Sequence, residues 1–178
     1  MLKLKTIEKF DKKSMYAIYN KWPEIAEESY ESEHKTIQFK KVNHIVFSGM
    51  GGSGTLGDIF SSIFSCTNIQ IDVIKGYKLP KTVSKNTLVV TTSVSGNTEE
   101  TLSILNAASK LKCKIIAFSD NGKMEKICSE KKIDHRKIST IHSPRASFPA
   151  FLFSMMRVLE SLLPIEKNDI ADSLQKLQ

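Results

Sequence analysis

The ten residues from Ile45 to Gly54, IVFSGMGGSG, run from a short apolar stretch into a turn rich in glycine and serine. An apolar run of this length that ends in glycine is typical of a buried strand followed by a tight turn. The next segment, residues 55–64, is predicted to be a helix whose adjoining faces carry Leu56, Ile59, Phe60 and Ile63. The stretch therefore predicts a strand, a glycine turn and a helix.

The same alternation continues along the chain. After a first strand at 44–48, strands are predicted at 69–74, 87–93, 113–119 and, more weakly, 134–139, and helices at 99–111, 123–131 and 146–163. Such alternation predicts a parallel sheet covered by helices on both faces. The crossover between the second and third strands is its weakest part, because Pro80 and the polar segment KTVSKN show no helical pattern.

The two ends of the chain flank this pattern. Apolar residues between Thr6 and Ser32 recur at intervals of three or four and predict one or two amphipathic helices, the second starting at Pro23. The chain after Pro164 is expected to form a further short helix or to fray. The predicted organisation is an N-terminal helical segment at 1–40, one α/β domain at 41–165 and a C-terminal tail at 166–178.

Composition limits the function classes. The chain has 178 residues, with 26 basic and 19 acidic side chains and a net charge of +7, a balance that attracts small phosphates or nucleic acid. The basic residues are scattered and match no RNA-binding signature, so we expect a solvated basic surface and no nucleic-acid partner.

Redox and membrane signals are weak in this sequence. The three cysteines form no C-x-x-C pair and are odd in number, which favours neither a disulfide framework nor a metal site. Leu2 to Phe10 lacks the apolar core of a signal peptide, and no segment approaches the roughly 18 apolar residues that span a bilayer. We expect a cytoplasmic protein without a membrane partner.

A dinucleotide site is one interpretation of the first glycine turn. Gly49, Gly51 and Gly54 fit G-x-G-x-x-G, and Asp72 follows at about the 20 residues expected of a ribose-binding acid. Such a site also needs a long apolar trough, and usually a partner domain, for the adenosine. A nucleoside triphosphate site is disfavoured as well, because no Gly-Lys is followed by Ser or Thr. We therefore expect no cofactor.

A second polar turn decides between these interpretations. SVSGNTEET, Ser93 to Thr101, follows the strand TLVVTT and leads directly into a helix. Because loops at the carboxyl ends of parallel strands lie along one edge of the sheet, both turns can face one ligand. Glycine backbone, hydroxyl groups and two helix N-termini suit one compact phosphate. The residues expected to contribute are Gly51, Gly52, Gly54, Ser53, Ser93, Ser95 and Thr98.

The structural alternative is that these residues serve only turn geometry and helix capping. Thr98, Glu99 and Glu100 stand where a helix should begin, and hydroxyl caps and first-turn carboxylates are favoured there by the backbone dipole. Each loop alone has this alternative, whereas two such loops on one edge favour binding.

Three motifs together resemble a known family. GMGGSG, SVSGNTEET and SPRAS at 143–147 resemble the sugar isomerase (SIS) domain and, more narrowly, the N-terminal half of the bifunctional phosphoglucose/phosphomannose isomerases. The resemblance covers Asn43 to Pro164. It implies a three-layer, doubly wound, flavodoxin-like sheet of five parallel strands. It also implies metal-free interconversion of glucose 6-phosphate or mannose 6-phosphate with fructose 6-phosphate.

The resemblance also implies roles for single residues. Gly51, Gly52 and Ser53 would line the substrate, and Ser93, Ser95 and Thr98 would bind its phosphate. Arg145 of SPRAS would be the catalytic arginine. A fixed guanidinium suits this reaction because the enediolate intermediate develops an oxyanion. A surface cation with no role is the alternative for Arg145.

The chain departs from that family in one respect. The bifunctional enzymes are longer and contain two such domains, and their proton-transfer carboxylate and ring-opening histidine lie in the second half. Here only Glu99, Glu100 and His142 are candidates for that chemistry. The chain is expected to be a fragment, a half that forms a homodimer, or a non-catalytic sugar-phosphate sensor. The apolar content of 146–163 and of the N-terminal helices motivates the association hypothesis.

Overall fold

A computed structural model describes residues 4–177 of the chain. The outermost parts of the predicted end segments, residues 1–3 and 178, lie outside the described residues. The helices are α1 Leu4–Phe10, α2 Met15–Tyr19, α3 Trp22–Tyr30, α4 Gly52–Phe64, α5 Glu99–Ala108, α6 Lys123–Lys131, α7 Phe148–Leu159 and α8 Lys167–Gln175. The strands are β1 His44–Ser48, β2 Gln70–Ile74, β3 Thr87–Thr92, β4 Lys114–Ser119 and β5 Asp134–Lys137.

The five strands form one sheet in the order β2-β1-β3-β4-β5, and every neighbouring pair is parallel. This is the flavodoxin-like order, in which the chain first moves to one side of β1 and then returns to build outward on the other. The predicted α/β, doubly wound, three-layer fold is confirmed. The order reverses at β1 and β3, so the loops that leave these two strands border the same crevice.

Alternate residues of the strands divide the core between two layers. Ile45 and Phe47 face α3, α4 and α7, with which they share the larger apolar cluster. Val46 and Val89 point to the opposite face, where they pack with residues of α5. The strands β1 and β3 are buried along their whole length, as expected for a parallel sheet with both faces covered. The two layers hold the carboxyl ends of these strands in a fixed relation.

The crossover from β2 to β3 contains no helix, in agreement with the lack of a helical pattern in its sequence. Residues 75–86 form turns and loop, and Leu79 and Val83 pack against the cluster around Val46 and Val89. Two apolar side chains on a loop therefore cover the part of the sheet that a crossover helix would otherwise bury.

Helix boundaries differ from the sequence prediction at several ends. The helix α4 begins at Gly52 and not at residue 55, because glycines 52 and 54 adopt helical geometry that their low helix propensity does not suggest. The helix α5 ends at Ala108 instead of continuing to 111, and α7 occupies Phe148–Leu159 of the predicted 146–163. The C-terminal tail contains the helix α8, which is one of the two alternatives expected for it, a short helix or a frayed end.

The N-terminal segment forms three short helices, one more than the pattern allowed for. Pro23 lies in the first turn of α3, as predicted. Ile25 and Ala26 of this helix are buried in the cluster that also holds Phe151 and Met155 of α7. The apolar faces that motivated the association hypothesis thus pack against each other, so self-association loses that support and stays a prediction. Within residues 4–177, no helix has the length and apolar character needed to cross a membrane.

Candidate active site

A cavity of about 560 Å³ opens at the carboxyl edge of the sheet. It lies where strand order reverses, and four parts of the chain surround it: the loops after β1 and β3, the segment before α7, and the start of α3. The lining residues are Trp22, Met50, Gly52, Ser53, Thr55, Leu56, Val94, Ser95, Thr98, Pro144, Arg145, Phe148 and Phe151. The two loops that the sequence placed on one edge therefore do border one cavity.

The loop after β1 presents open backbone to this cavity. Gly51 precedes α4 with a φ of 54°, a conformation that favours glycine. A Cβ atom on Gly51 or Gly52 would meet no neighbour within 4 Å. Gly51 has no side chain to cap α4, so the amino end of this helix faces the cavity without a side-chain cap, while the N–H of Ser53 donates to the Met50 carbonyl (3.1 Å).

The loop after β3 presents hydroxyl groups. Ser95 and Thr98 line the cavity, and Thr98 is the N-cap residue of α5. The Thr98 hydroxyl does not cap the helix; it shares a 2.9 Å hydrogen bond with the hydroxyl of Ser93. Ser93 itself is buried and lies outside the cavity lining. The structure thus brings Gly52, Ser53, Ser95, Thr98 and Arg145 together, while Gly51 borders them and Ser93 supports Thr98 from beneath.

The β3 loop rests on residues 119–123, where the chain turns from the end of β4 into the start of α6. The Asn97 side chain accepts a hydrogen bond from Lys123 N–H (3.1 Å) and donates one to the Ser95 carbonyl (2.8 Å). Gly96 has a φ of 65° and lies so close to Asn121 that a Cβ would come within 1.6 Å of its carbonyl oxygen. Packing and hydrogen bonds therefore fix the position of Ser95.

Arg145 is exposed at the mouth of the cavity, three residues before α7 begins. The buried hydroxyl of Ser147 holds this segment by accepting from Ile141 N–H (2.8 Å) and donating to the Ser143 carbonyl (2.8 Å). Of the described residues that line the cavity, Arg145 alone carries a positive charge. It can approach a bound anion without displacing an ion-pair partner.

The predicted candidates for acid-base chemistry lie away from the cavity lining. His142 is exposed, with its Nε2 2.7 Å from the Lys13 carbonyl. Glu99 and Glu100 occupy the first turn of α5, as predicted for helix-start residues, and Glu100 raises the pKa of Tyr77 through its charge. Among the described residues that line the cavity, none carries a carboxylate or an imidazole.

Asp72, the acid of the dinucleotide interpretation, has another partner. Its carboxylate lies 2.9 Å from Nε2 of His44, whose Nδ1 is 3.1 Å from the Thr87 hydroxyl. These contacts join β2, β1 and β3 at the edge of the sheet opposite the cavity mouth. Over residues 4–177, no group of three His, Cys, Asp or Glu side chains is arranged to hold a metal ion.

The sequence alone did not predict the apolar residues of the cavity lining. Met50, Phe148 and Trp22 form part of its wall, and the helical spacing around Trp22 indicated only a core residue of an amphipathic helix. Nothing local distinguishes such a residue, because Trp22 reaches the cavity only through the packing of α3 on α7.

Comparisons with known proteins agree with this geometry. The SIS domain family matches residues 38–162. The bifunctional phosphoglucose/phosphomannose isomerase of Aquifex aeolicus is 35% identical over 136 residues, covering 75% of this chain and 41% of the relative. The corresponding enzyme of Caldicellulosiruptor bescii is 31% identical over 158 residues, covering 86% of this chain and 46% of the relative. The chain spans less than half the length of these two curated relatives.

A solved structure shares the fold at low identity. Glucosamine-6-phosphate deaminase from Thermotoga maritima superimposes with a TM-score of 0.66 and 15% identity, covering 90% of this chain and 52% of that one. The resemblance drawn from the three motifs is confirmed. The chain belongs to the SIS domain family, and its curated relatives include proteins named bifunctional phosphoglucose/phosphomannose isomerase.

Proposed function

We propose that this chain is the sugar-phosphate-binding domain of an aldose-ketose isomerase that interconverts glucose 6-phosphate or mannose 6-phosphate with fructose 6-phosphate. The observation that supports it most is the convergence of both polar loops and Arg145 on one cavity. A hexose 6-phosphate combines a compact dianion with a polar sugar, and the cavity lining combines hydroxyl groups with one guanidinium.

In this proposal the phosphate binds between the two loops. The hydroxyls of Ser95 and Thr98 and the amino end of α4 near Ser53 donate hydrogen bonds to its oxygens. Arg145 then lies near the sugar carbons, where its guanidinium stabilises the oxyanion of the enediolate more than the ground state. Ser93 acts indirectly, by holding the Thr98 hydroxyl.

The proton transfer between C1 and C2 needs a base, and we propose that a second SIS unit supplies it. The support is that no described cavity-lining residue is a carboxylate or a histidine, together with the greater length of the relatives. That unit is either a further domain or a second copy of this chain. A general base must come within hydrogen-bond reach of the proton it removes, so the added unit has to close over the cavity mouth.

The second candidate is a non-catalytic sugar-phosphate sensor, which the same lack of an acid-base group favours. Calorimetry with fructose 6-phosphate, paired with a coupled assay for glucose 6-phosphate at high protein concentration, tests both. Binding with turnover supports an isomerase formed by copies of this chain. Binding without turnover supports the sensor or an isomerase domain whose second unit is a further domain, and no binding contradicts both candidates. We also propose a reducing, cytoplasmic setting, in keeping with the three unpaired cysteines.

The same assay tests the individual roles. Arg145→Ala should lower turnover by about 100-fold and affinity far less, since its interaction is strongest in the transition state. Thr98→Ala should raise the Kd by up to about tenfold, the cost of a lost hydrogen bond. Arg145→Lys is the matched control, which keeps the charge without the planar fork. The opposite pattern would reverse the two assignments.

A further inference from the structure

Trp22 is the first residue of α3, and it lies outside the range 38–162 that matches the family. Its half-buried ring nevertheless forms part of the wall of the cavity that holds Ser95, Thr98 and Arg145. The N-terminal segment therefore contributes to the site, and not only to the core beneath it.

The indole group is held in place from two sides. Its Nε1–H donates a 3.2 Å hydrogen bond to the carbonyl of Ala146, the residue directly after Arg145. The Tyr19 ring contacts it edge-on, with 4.9 Å between ring centroids. A ring with these two restraints is pre-organised, so a ligand does not have to order it on binding.

The cavity lining combines two kinds of side chain. Ser53, Ser95 and Thr98 carry hydroxyls, whereas Met50, Phe148 and Trp22 carry apolar surface. A phosphate needs only the first kind. A sugar has C–H faces as well as hydroxyl edges, and a flat aromatic side chain suits such a face.

We propose that Trp22 is a specificity-determining residue, which contacts the carbon skeleton of the sugar and, through Ala146, positions Arg145. This inference rests on the proposed hexose 6-phosphate function. It assigns to the N-terminal helices the discrimination between a sugar phosphate and a smaller phosphate monoester, while the two loops supply the affinity for phosphate that both ligands share.

The chain contains a single tryptophan, so emission excited at wavelengths that its four tyrosines do not absorb reports on this position alone. We expect saturating fructose 6-phosphate to change the emission of Trp22, with a midpoint equal to the calorimetric Kd. Glycerol 3-phosphate, which has the phosphate but no ring, should bind with a much smaller emission change. Calorimetric binding of fructose 6-phosphate without any emission change would overturn the inference.

Variants separate contact from packing. Trp22→Ala should raise the Kd for fructose 6-phosphate about tenfold and that for glycerol 3-phosphate less than twofold, since the sugar contact is lost while the phosphate contacts of the two loops are kept. Trp22→Phe keeps an aromatic ring and loses the N–H, so affinity should fall about threefold and turnover further, through Arg145. Phe10→Ala, which removes an exposed aromatic of the same segment, is the control.

Two outcomes distinguish this inference from the proposal beneath it. If Trp22→Ala and Trp22→Phe weaken both ligands equally while circular dichroism shows a folded protein, Trp22 is structural and the inference is wrong, although the proposed function stands. If the unaltered protein binds neither ligand, the proposed function fails and the inference fails with it.

Discussion

The two loops at the cavity are both rich in glycine and serine, yet the surroundings of their glycines differ. In the β1–α4 loop, added Cβ atoms on Gly51 and Gly52 would enter open space. In the β3–α5 loop, a Cβ on Gly96 would collide with the Asn121 carbonyl, and a Cβ on Gly122, in the neighbouring β4–α6 turn, would lie 2.6 Å from the Ser95 carbonyl. The first loop is open at Gly51 and Gly52, although a Cβ on Gly49 would lie 2.6 Å from the Ser53 carbonyl, whereas the second loop is packed against protein at Gly96.

This difference shows that glycines in similar motifs can have different roles: one leaves space for a ligand, and another allows close packing of the chain. At Gly52 the empty space belongs to the cavity, and at Gly96 it is already filled by the chain itself. Substitutions in the two loops should therefore separate stability from ligand binding. The experiments below test that separation, beginning with the largest expected effect.

Gly96→Ala should destabilise the protein by about 3 kcal/mol or more. The new methyl group would meet a backbone oxygen at 1.6 Å, and the φ of 65° is unfavourable for alanine. Urea unfolding followed by circular dichroism measures the free energy of unfolding. Gly52→Ala is the matched control and should shift it by less than about 1 kcal/mol. Equal losses in the two variants would contradict the contrast between the loops.

Gly52→Leu should have the opposite effect to Gly96→Ala: it should weaken ligand binding and leave stability nearly unchanged. Its side chain would project into the cavity, so the affinity for fructose 6-phosphate should fall at least tenfold, about 1.4 kcal/mol. The free energy of unfolding should stay within about 1 kcal/mol of the unaltered protein, because no described neighbour lies within 4 Å of that Cβ. Calorimetry and urea unfolding on the same samples provide both numbers. Unchanged affinity would mean that the ligand does not occupy this part of the cavity.

Asn97→Ala should cost about 1 kcal/mol of stability, since it removes hydrogen bonds to Lys123 N–H and to the Ser95 carbonyl. It should also weaken fructose 6-phosphate a few-fold, because Ser95 loses the group that fixes its backbone. Asn68→Ala, which changes an exposed asparagine in the turn before β2, is the control. A stability loss without any change in affinity would show that Ser95 keeps its position unaided.

Protonation of His135 should give the smallest effect. Burial lowers the pKa of this histidine below its ordinary value of 6.5, against the opposing charges of Glu125 and Asp134. The folded state then binds the proton less readily than the unfolded state, so the stabilisation is full above pH 6.5 and is lost as the pH falls toward the folded pKa. His34 shifts in the same direction and contributes to the same window.

His135→Gln tests this, because it removes one titrating group from the support of the β3 loop, where His135 Nε2 lies 2.8 Å from the Ser119 hydroxyl. Thermal melts between pH 7.5 and 5.5 should show a shallower decline for the variant than for the unaltered protein. Parallel declines would assign the pH dependence to other groups.

Most of the fold could be predicted from the sequence, because the patterns that indicate strands, helices and turns are local. Apolar runs in the sequence predicted the buried strands β1, β3 and β4. The polar turns after β1 and β3 lie at the crevice where the strand order reverses. The loop crossover between β2 and β3 was visible as an absence of helical pattern. Helix α4 began earlier than predicted because glycine is a poor indicator of helix.

The remaining features of the site depend on contacts between distant parts of the chain. Trp22 and Ala146 are 124 residues apart, and Asn97 and Lys123 are 26 apart. No periodicity or motif spacing records such pairs, since they arise only when α3 packs on α7 and when two loops meet at the sheet edge. The sequence could therefore propose which residues bind a phosphate, but not what supports or encloses them.

A crystal structure of the protein with fructose 6-phosphate tests the central claim most directly. We expect the phosphate between the two loops, within hydrogen-bond distance of the Ser95 and Thr98 hydroxyls, and the sugar between Arg145 and Trp22. A sugar phosphate bound at another surface, or one that contacts only a single loop, would contradict the account.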